Sequence, residues 1–204
     1  MQRNIVWWST VVTGLIVFSM GTAGCADGPV QSDGQPGGGL RAGNAGPVAA
    51  GPTGVVAAAD RARAPRLEGE LLDGGRFDPE SVAGMAVVVN FWASWCAPCR
   101  AEAEELNATA EATRELGARF VGVNVRDGRD QARAFVEGRE LYPSLFDPPG
   151  RIALAFTDVP PNTIPATVII DRRGRVAVVL RKAVTQRELE PLVRQVAEEP
   201  AAGG

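Results

Sequence analysis

Histidine is absent from this chain of 204 residues, and cysteine occurs only three times. Without an imidazole there is no histidine base and no zinc site with a histidine ligand. Any chemistry of the chain therefore depends on thiols and carboxylates.

An excess of positive charge is also missing. The 21 basic and 24 acidic residues are mixed along the chain and give a net charge of -3. Nucleic-acid binders usually carry a basic stripe or block, so we expect no nucleic-acid partner. The length and the 45% hydrophobic content predict one globular domain with appendages, and we expect a monomer.

Charge is missing altogether between Arg3 and Asp27, where the apolar run "IVWWSTVVTGLIVFSM" fills residues 5–20. This pattern predicts an export signal. The "TAGC" that follows resembles a bacterial lipobox, in which a peptidase cuts before a cysteine that becomes acylated, here Cys25. Thr22 stands where that motif most often has Leu. An uncleaved anchor, which needs about 20 apolar residues, and a plain cleaved signal stay open, and each places the remainder outside the cytoplasm.

Composition divides the rest of the chain. Residues 26–65 contain nine Gly and five Pro. Ordering so much glycine costs conformational entropy that the few apolar side chains do not offset, so this composition predicts a disordered tether. We therefore expect a signal, lipoprotein signal or anchor over residues 1–25, a tether over 26–64, a folded domain over 65–198 and a disordered tail over 199–204.

The domain alternates strand and helix patterns before a final hairpin. The predicted order is β-hairpin, β, α, β, α, β, β, α, which indicates an α/β fold with a mixed central sheet and flanking helices. The first half of the domain has extended pieces around Asp73–Gly75, the buried strand "MAVVVNFWA", a helix over 97–117, the strand "ARFVGVNV" and a helix in "RDQARAFVEGREL". The second half has a loop in "YPSLFDPPG", a short helix in "RIALAF", the strands "ATVIID" and "RVAVVL", and a last helix that Thr185 caps. Pro191 should kink this last helix or delay its start.

Two cysteines, Cys96 and Cys99, stand where the buried strand meets the first long helix. A thiol at that position faces unpaired backbone N–H groups and the positive end of the helix dipole, which stabilise the thiolate. Cys96 is the predicted nucleophile, and Cys99, one turn inside, can resolve a mixed disulfide. Pro98 suits the first helical turn and stiffens the loop between the sulfurs.

The cysteine pair also has other interpretations. A four-thiolate zinc site needs more ligands than the distant Cys25 can supply, so we expect no metal. A structural disulfide closing so small a loop stabilises weakly. A peroxidatic cysteine usually stands alone with Arg and Thr partners.

Two longer segments resemble a known family. "VVVNFWASWCAPCRAE" and, about 70 residues later, "TIPATVIIDRRGRV" are similar to the TlpA/ResA branch of the thioredoxin superfamily, which are membrane-tethered extracytoplasmic thiol-disulfide oxidoreductases. The similarity covers roughly residues 65–196. It implies a thioredoxin-like fold with an N-terminal β-hairpin, and no cofactor other than the redox-active disulfide.

The resemblance assigns roles to individual residues. Cys96 becomes the exposed attacking thiol and Cys99 the resolving thiol. Pro165 matches the family's cis-proline opposite the active site, and the backbone of Ile164 would pair with a substrate peptide. Trp95 would line the substrate surface beside Pro98.

The segment departs from cytosolic thioredoxins at two positions. Asn90 stands where those proteins have a buried aspartate, and an amide cannot accept a proton. Glu102 matches a glutamate that the ResA group places beside its active site, and burial would raise its pKa toward neutrality, so that it could accept the proton of Cys99. The alternative is a solvated carboxylate that interacts favourably with the helix dipole.

We therefore expect an enzyme that reduces disulfides of exported proteins, such as the CxxCH disulfide of apocytochrome c, with electrons from a membrane thiol carrier. It would work on the extracytoplasmic face of the bacterial cell membrane, held there by a lipid or an N-terminal anchor. An oxidase of exported thiols and a non-catalytic binding module are the alternatives.

Overall fold

The computed structural model describes residues 54–139, 142–159 and 163–200. The predicted signal, Cys25, residues 26–53 of the tether and residues 201–204 lie outside them. The strands are β1 Gly69–Glu70, β2 Arg76–Phe77, β3 Ala86–Trp92, β4 Ala118–Val125, β5 Ser144–Asp147, β6 Ala166–Ile170 and β7 Val176–Leu180. The helices are α1 Ala97–Thr113, α2 Arg129–Val136, α3 Arg151–Ala155 and α4 Gln186–Ala197.

The predicted α/β class with a mixed sheet is confirmed. The sheet has the order β5-β4-β3-β6-β7, in which β3 is parallel to β4 and antiparallel to β6. All seven residues of β3 are buried, as a strand covered on both faces should be. Val88 packs with residues of α1 and α4, whereas Val89 and Phe91 pack on the opposite face with α3.

Strand β5 was not predicted, because its sequence indicated a loop over residues 142–150. Ser144–Asp147 is a strand parallel to β4 at the edge of the sheet. It is only four residues long and stands between Pro143 and Pro148. Its pairing with β4 depends on tertiary contacts, which a short local pattern does not show.

The predicted N-terminal hairpin is present as two short strands. Gly69 pairs with Phe77 and Glu70 with Arg76, around the turn at residues 71–75. The chain of that turn also reaches the sheet, because the Leu72 N–H donates to the Ser144 carbonyl at 2.8 Å. The turn thereby covers part of the exposed edge of β5.

The other edge of the sheet is covered by a segment that was predicted to be tether. The Val56 N–H donates to the Ala177 carbonyl and the Ala64 N–H to the Gly174 carbonyl, both at 2.8 Å, and Val55 is buried. The expected domain boundary at residue 65 is therefore too late, since residues 54–64 lie along β7. Their Ala-rich sequence hides this role because the pairing uses backbone groups.

Arg61 fixes this segment to the end of the chain. Its guanidinium, with 2% of the side chain exposed, donates to Asp171 at 3.0 Å and to both carboxylate oxygens of Glu199 at 2.6 and 2.7 Å. Glu199 was expected in a disordered tail, and this ion pair shows that the folded part of the chain includes it.

Helix α4 begins at Gln186, where the Thr185 hydroxyl accepts the Glu188 N–H at 3.4 Å. It continues through Pro191, so the prediction of a delayed start is wrong. Pro191 is the sixth residue of the helix, so it costs α4 one hydrogen bond, the one that an ordinary residue would donate to the Arg187 carbonyl. Leu189 and Val193 are completely buried, and their packing stabilises the helix despite the proline.

Candidate active site

Cys96 and Cys99 form a disulfide at the N-terminus of α1, with an S–S distance of 2.04 Å. Cys96 is the N-cap residue, and its sulfur accepts the Cys99 N–H at 3.2 Å. Pro98 occupies the first turn, where its missing N–H costs nothing. When the disulfide is reduced, the same N–H and the helix dipole favour the thiolate form of Cys96.

The disulfide is almost buried. Only 4% of Cys96 and 3% of Cys99 are exposed, so Cys96 is not the more open sulfur that the resemblance implied. Both cysteines belong to an apolar cluster with Trp92 and Ala93, against which Ile164 packs. In this oxidised state the Cys96 sulfur is bonded to that of Cys99 and packs within this cluster.

Trp95 and Trp92 have different surroundings. Trp95 is 57% exposed beside Cys96, and its indole N–H donates to the Arg126 carbonyl at 2.9 Å. Trp92 is buried, donates to the Ser144 hydroxyl at 3.2 Å and contacts the ring of Phe135. The geometry leaves Trp95 available to a substrate and gives Trp92 a packing role.

Pro165 directly precedes β6, and the Ile164–Pro165 peptide bond is cis. Ile164 is half-buried and packs against the cysteine cluster. The structure therefore brings Ile164 next to the cysteines, which are distant from it in sequence.

Glu102 lies one helical turn beyond Cys99, with only 2% of its surface exposed. One carboxylate oxygen accepts the Asn90 amide N–H at 2.9 Å, and the other accepts the Val184 backbone N–H at 2.9 Å. Asn90 also donates to the Thr167 hydroxyl at 3.2 Å. Asn90, whose amide cannot accept a proton, thus holds Glu102, whose carboxylate can.

Burial raises the pKa of Glu102 to about 7, against the two hydrogen bonds from Val184 and Asn90, which lower it. Burial dominates because it removes water from the charged form. A carboxyl with a pKa near neutrality can both take and return a proton at physiological pH. The alternative of a solvated Glu102 is excluded by its burial.

A cavity of about 30 Å³ lies behind the disulfide. Asn90 and Cys99 both line it, together with Trp92, Leu106 and Tyr142. A polar cavity needs roughly 10–15 Å³ to hold one water molecule. The space beside Cys99 and Asn90 is large enough for one water molecule.

Asp127, which no sequence motif singled out, organises the loop that precedes Cys96. Its carboxylate accepts the Ser94 N–H at 2.6 Å and the Ser94 hydroxyl at 2.9 Å, as well as the Asn124 amide and the Gly128 N–H. The only sequence signal was its place after a buried strand that runs parallel to β3, because the carboxyl ends of parallel strands meet at one edge.

Comparison with known proteins shows which family the chain belongs to. The profile of the AhpC/TSA family matches residues 61–179, more than half of the chain. The chain belongs to the AhpC/TSA family. Among the relatives of this member are thiol-disulfide oxidoreductases, in agreement with the resemblance seen in the sequence.

Two curated relatives illustrate the similarity. The thiol:disulfide interchange protein DsbE of Escherichia coli K12 is 33% identical over an alignment of 159 positions, and the match covers 74% of this chain and 82% of that protein. The thiol-disulfide oxidoreductase ResA of Bacillus thuringiensis is 25% identical over 126 residues, 61% of this chain and 71% of that protein.

A solved structure shows the same fold. A secreted thiol-disulfide isomerase from Corynebacterium glutamicum is 33% identical, has a TM-score of 0.67, and the match covers 71% of this chain and 91% of that one. This AhpC/TSA member is thus a thiol-disulfide oxidoreductase with a thioredoxin-like fold. No helix among the described residues is long and apolar enough to cross a membrane.

Proposed function

We propose that the protein is an extracytoplasmic thiol-disulfide oxidoreductase that reduces disulfides of exported proteins, such as the CxxCH disulfide of apocytochrome c. The observation that carries the proposal is the buried Glu102, which lies one turn from Cys99 and is held by Asn90. When Cys99 attacks the mixed disulfide it must lose its proton, and Glu102 is placed to accept it.

The reaction begins with the reduced dithiol. The Cys96 thiolate attacks one sulfur of the substrate disulfide, forms a mixed disulfide and releases the other substrate sulfur as a thiolate. Cys99 then loses its proton and attacks the Cys96 sulfur, which expels the second substrate thiolate. The substrate gains two electrons and leaves as two thiolates, which become thiols by taking up the proton that Cys99 lost and one more from the solvent, and the enzyme is left with the Cys96–Cys99 disulfide.

Glu102, which lies one helical turn from Cys99, takes the proton of Cys99 in the second step. The pKa of Glu102, about 7, is closer to the pKa of a thiol than the pKa of an ordinary carboxyl is. This smaller difference in pKa reduces the free-energy cost of the proton transfer. Asn90 keeps the acceptor oxygen in place.

The substrate peptide binds across the disulfide. Trp95 supplies exposed apolar surface on one side, together with Pro98. Ile164 and Pro165 lie on the other side, and the backbone of Ile164 would pair with the peptide. The Asp127 carboxylate fixes the loop that carries Trp95.

The cellular setting follows from the N-terminus. We assign the uncharged segment before Asp27 to export and Cys25 to lipidation, with residues 26–53 as the tether. The enzyme would then work at the outer face of the cell membrane and receive electrons from a membrane thiol carrier. The secreted isomerase of C. glutamicum supports a place outside the cytoplasm.

Trapping tests the proposal. In the full-length Cys99→Ser variant the second step is blocked, so covalent adducts with exported proteins should accumulate and disappear on treatment with dithiothreitol. The double variant, with Cys96 also changed to Ser, is the control and should trap nothing. If no adduct forms and the double variant keeps its function in the cell, the protein is a binding module and the proposal is wrong.

A further inference from the structure

A threonine hydroxyl contacts the amide that binds Glu102. Thr167 of β6 lies directly opposite Asn90 of β3 in the antiparallel pair, so the two side chains share one face of the sheet. The Asn90 amide nitrogen donates to the Thr167 hydroxyl at 3.2 Å and to a Glu102 carboxylate oxygen at 2.9 Å. One amide nitrogen thus links a hydroxyl on β6 to the carboxylate on α1.

All three of these side chains are buried. The exposed fraction is 3% for Asn90, 2% for Glu102 and 0% for Thr167. A buried donor that loses its acceptor leaves an N–H group unpaired, which is unfavourable. The Asn90 amide is therefore held most firmly where it reaches both acceptors at once.

The charged groups nearest to Glu102 in the chain do not point to its carboxylate. Strands β3 and β6, which carry Asn90 and Thr167, contain no titratable side chain. On α1, the Cys99 sulfur belongs to the disulfide, and Glu105 accepts the Gln186 N–H at 2.7 Å. Two other charged residues of that helix, Arg100 and Glu104, are exposed.

The charged groups of the neighbouring elements do not act on Glu102 either. Arg139, which lines the cavity together with Asn90, donates to the Phe135 carbonyl at 2.7 Å. Lys182 pairs with Glu188, and Arg194 pairs with Glu190. The charged residues between β7 and the middle of α4 are Arg181, Lys182, Arg187, Glu188, Glu190 and Arg194. No charged side chain among the described residues is a cause of the raised pKa of Glu102, which depends on burial and on the hydrogen bonds from Val184 and Asn90.

We infer that Thr167 is a positioning residue, whose hydroxyl holds the Asn90 amide against Glu102 and thereby sets how tightly this carboxyl binds its proton. The hydrogen bond from Asn90 favours the charged form of Glu102 and lowers its pKa. Without the hydroxyl, the Asn90 amide loses one of its two acceptors and donates to Glu102 for a smaller part of the time. The inference deepens the proposed function, on which it rests for the role of Glu102 as proton acceptor.

Carbon-13 NMR measures the pKa of Glu102 without any substrate. The full-length oxidised protein, in which Cys96 and Cys99 do not titrate, is labelled at the side-chain carboxyl carbons of glutamate and titrated between pH 4 and pH 10. The Glu102 resonance is the one that Glu102→Gln lacks, and it should titrate at about pH 7. Thr167→Val and Thr167→Ala both remove the hydroxyl and should raise this pKa by about one unit, a tenfold change in proton affinity.

Two further variants separate the hydroxyl from other effects of substitution. Thr167→Ser keeps a hydroxyl and should keep the pKa of the unmodified protein. Thr113→Val removes a hydroxyl that is equally buried but donates to the Thr109 carbonyl of its own helix at 2.8 Å. This variant controls for a general loss of stability and should leave the pKa of Glu102 unchanged.

The rate of mixed-disulfide resolution shows whether the shifted pKa affects the reaction. In Thr167→Val the pH of the half-maximal rate should rise by the same unit as the pKa of Glu102, and in Thr167→Ser it should not move. Stopped-flow measurement of both variants beside the unmodified protein checks this.

The two readouts distinguish failure of the inference from failure of the proposed function. A Glu102 pKa that stays at about 7 in either hydroxyl-free variant would overturn the inference, whatever the rates are. The same shift in Thr167→Ser as in Thr167→Val would also overturn it, because the hydroxyl would then not be the cause. If the pKa shifts as expected while the rate profile does not, the inference holds and Glu102 is not the proton acceptor of the proposed reaction.

Discussion

Glu102 is the residue on which the reductase proposal depends, and its surroundings give it two stable protonation states. As a carboxylate it accepts hydrogen bonds from Asn90 and Val184. As a neutral acid it avoids the cost of a buried charge. The balance between these effects places its pKa at about 7.

Replacing Glu102 should change the pH dependence of catalysis. In the unmodified protein the rate of mixed-disulfide resolution should rise with pH, reach half of its maximum near pH 7 and level off about one pH unit higher, as the carboxylate forms. Glu102→Gln should resolve roughly 10²-fold more slowly at pH 7, and its rate should rise only near the ordinary thiol pKa of about 8.5. Stopped-flow measurement between pH 5 and pH 9 checks this.

Glu104→Gln is the matched control for that experiment, since Glu104 is exposed on the same helix. Its profile should follow that of the unmodified protein. Superimposable profiles for Glu102→Gln and the unmodified protein would remove Glu102 from the proton transfer.

Glu102 should also make the free energy of unfolding decrease as the pH rises. The folded protein holds the Glu102 proton more tightly than the unfolded chain, whose carboxyl has a pKa of 4.5. The contribution of Glu102 to the free energy of unfolding is therefore fully present below pH 4.5 and is lost as the pH rises to about 7. Glu102→Gln, which cannot ionise, should gain about 3 kcal/mol relative to the unmodified protein between pH 4 and pH 8.

Urea unfolding of the oxidised proteins at pH 4, 6 and 8 measures this gain. The difference in free energy of unfolding between the two proteins should grow with pH and stop growing above pH 8. A difference that stays constant across the series would mean that Glu102 has an ordinary pKa.

The sequence predicted part of this site. The position of Cys96 at a helix start followed from the strand and helix patterns, and the resemblance indicated Glu102 and Pro165. The sequence did not predict that Asn90 would bind Glu102, because the two residues meet only when α1 packs on the face of β3 that carries Asn90. Asp127 was missed for the same reason, since its contact with Ser94 joins two loops.

At the scale of elements, the covered edges of the sheet explain why the N-terminal segment belongs to the domain. Residues 56–64 cover β7, and the turn at residues 71–75 covers part of β5. Unpaired strand edges invite pairing with other chains, so both additions protect the fold from aggregation. Such pairing uses N–H and C=O groups, which every sequence has, and was therefore not visible in the Ala-rich segment.

Arg61 should be the side chain that holds the N-terminal segment. Arg61→Met leaves the buried Asp171 with fewer partners and frees Glu199, so we expect a loss of about 3 kcal/mol in the free energy of unfolding. Thermal and urea unfolding check this, while the rate of disulfide exchange should not change. Arg66→Met removes an exposed ion pair with Glu68 and should cost less than about 1 kcal/mol. Equal effects of the two substitutions would contradict the role of Arg61.

For the whole molecule, the fold class could be predicted from the sequence, but the start of the domain and the edge strand β5 could not. Alternating strand and helix patterns predicted a mixed sheet, and the buried run of β3 identified its centre. Strand β5 and the true start of the domain depend on pairing with distant residues, so local patterns missed both. The active site forms where the carboxyl end of β3 meets α1, and the β6 segment with Pro165 completes it.

The reduction potential of the Cys96–Cys99 couple tests the central claim most directly. It is measured by equilibrating the full-length protein with glutathione or dithiothreitol buffers and following the fluorescence of Trp92 and Trp95. Couples of this type range from about -270 mV for reductants to about -120 mV for oxidants. A reductase of exported proteins should have a value of about -250 mV or lower. A value of about -120 mV would contradict the account and indicate an oxidase.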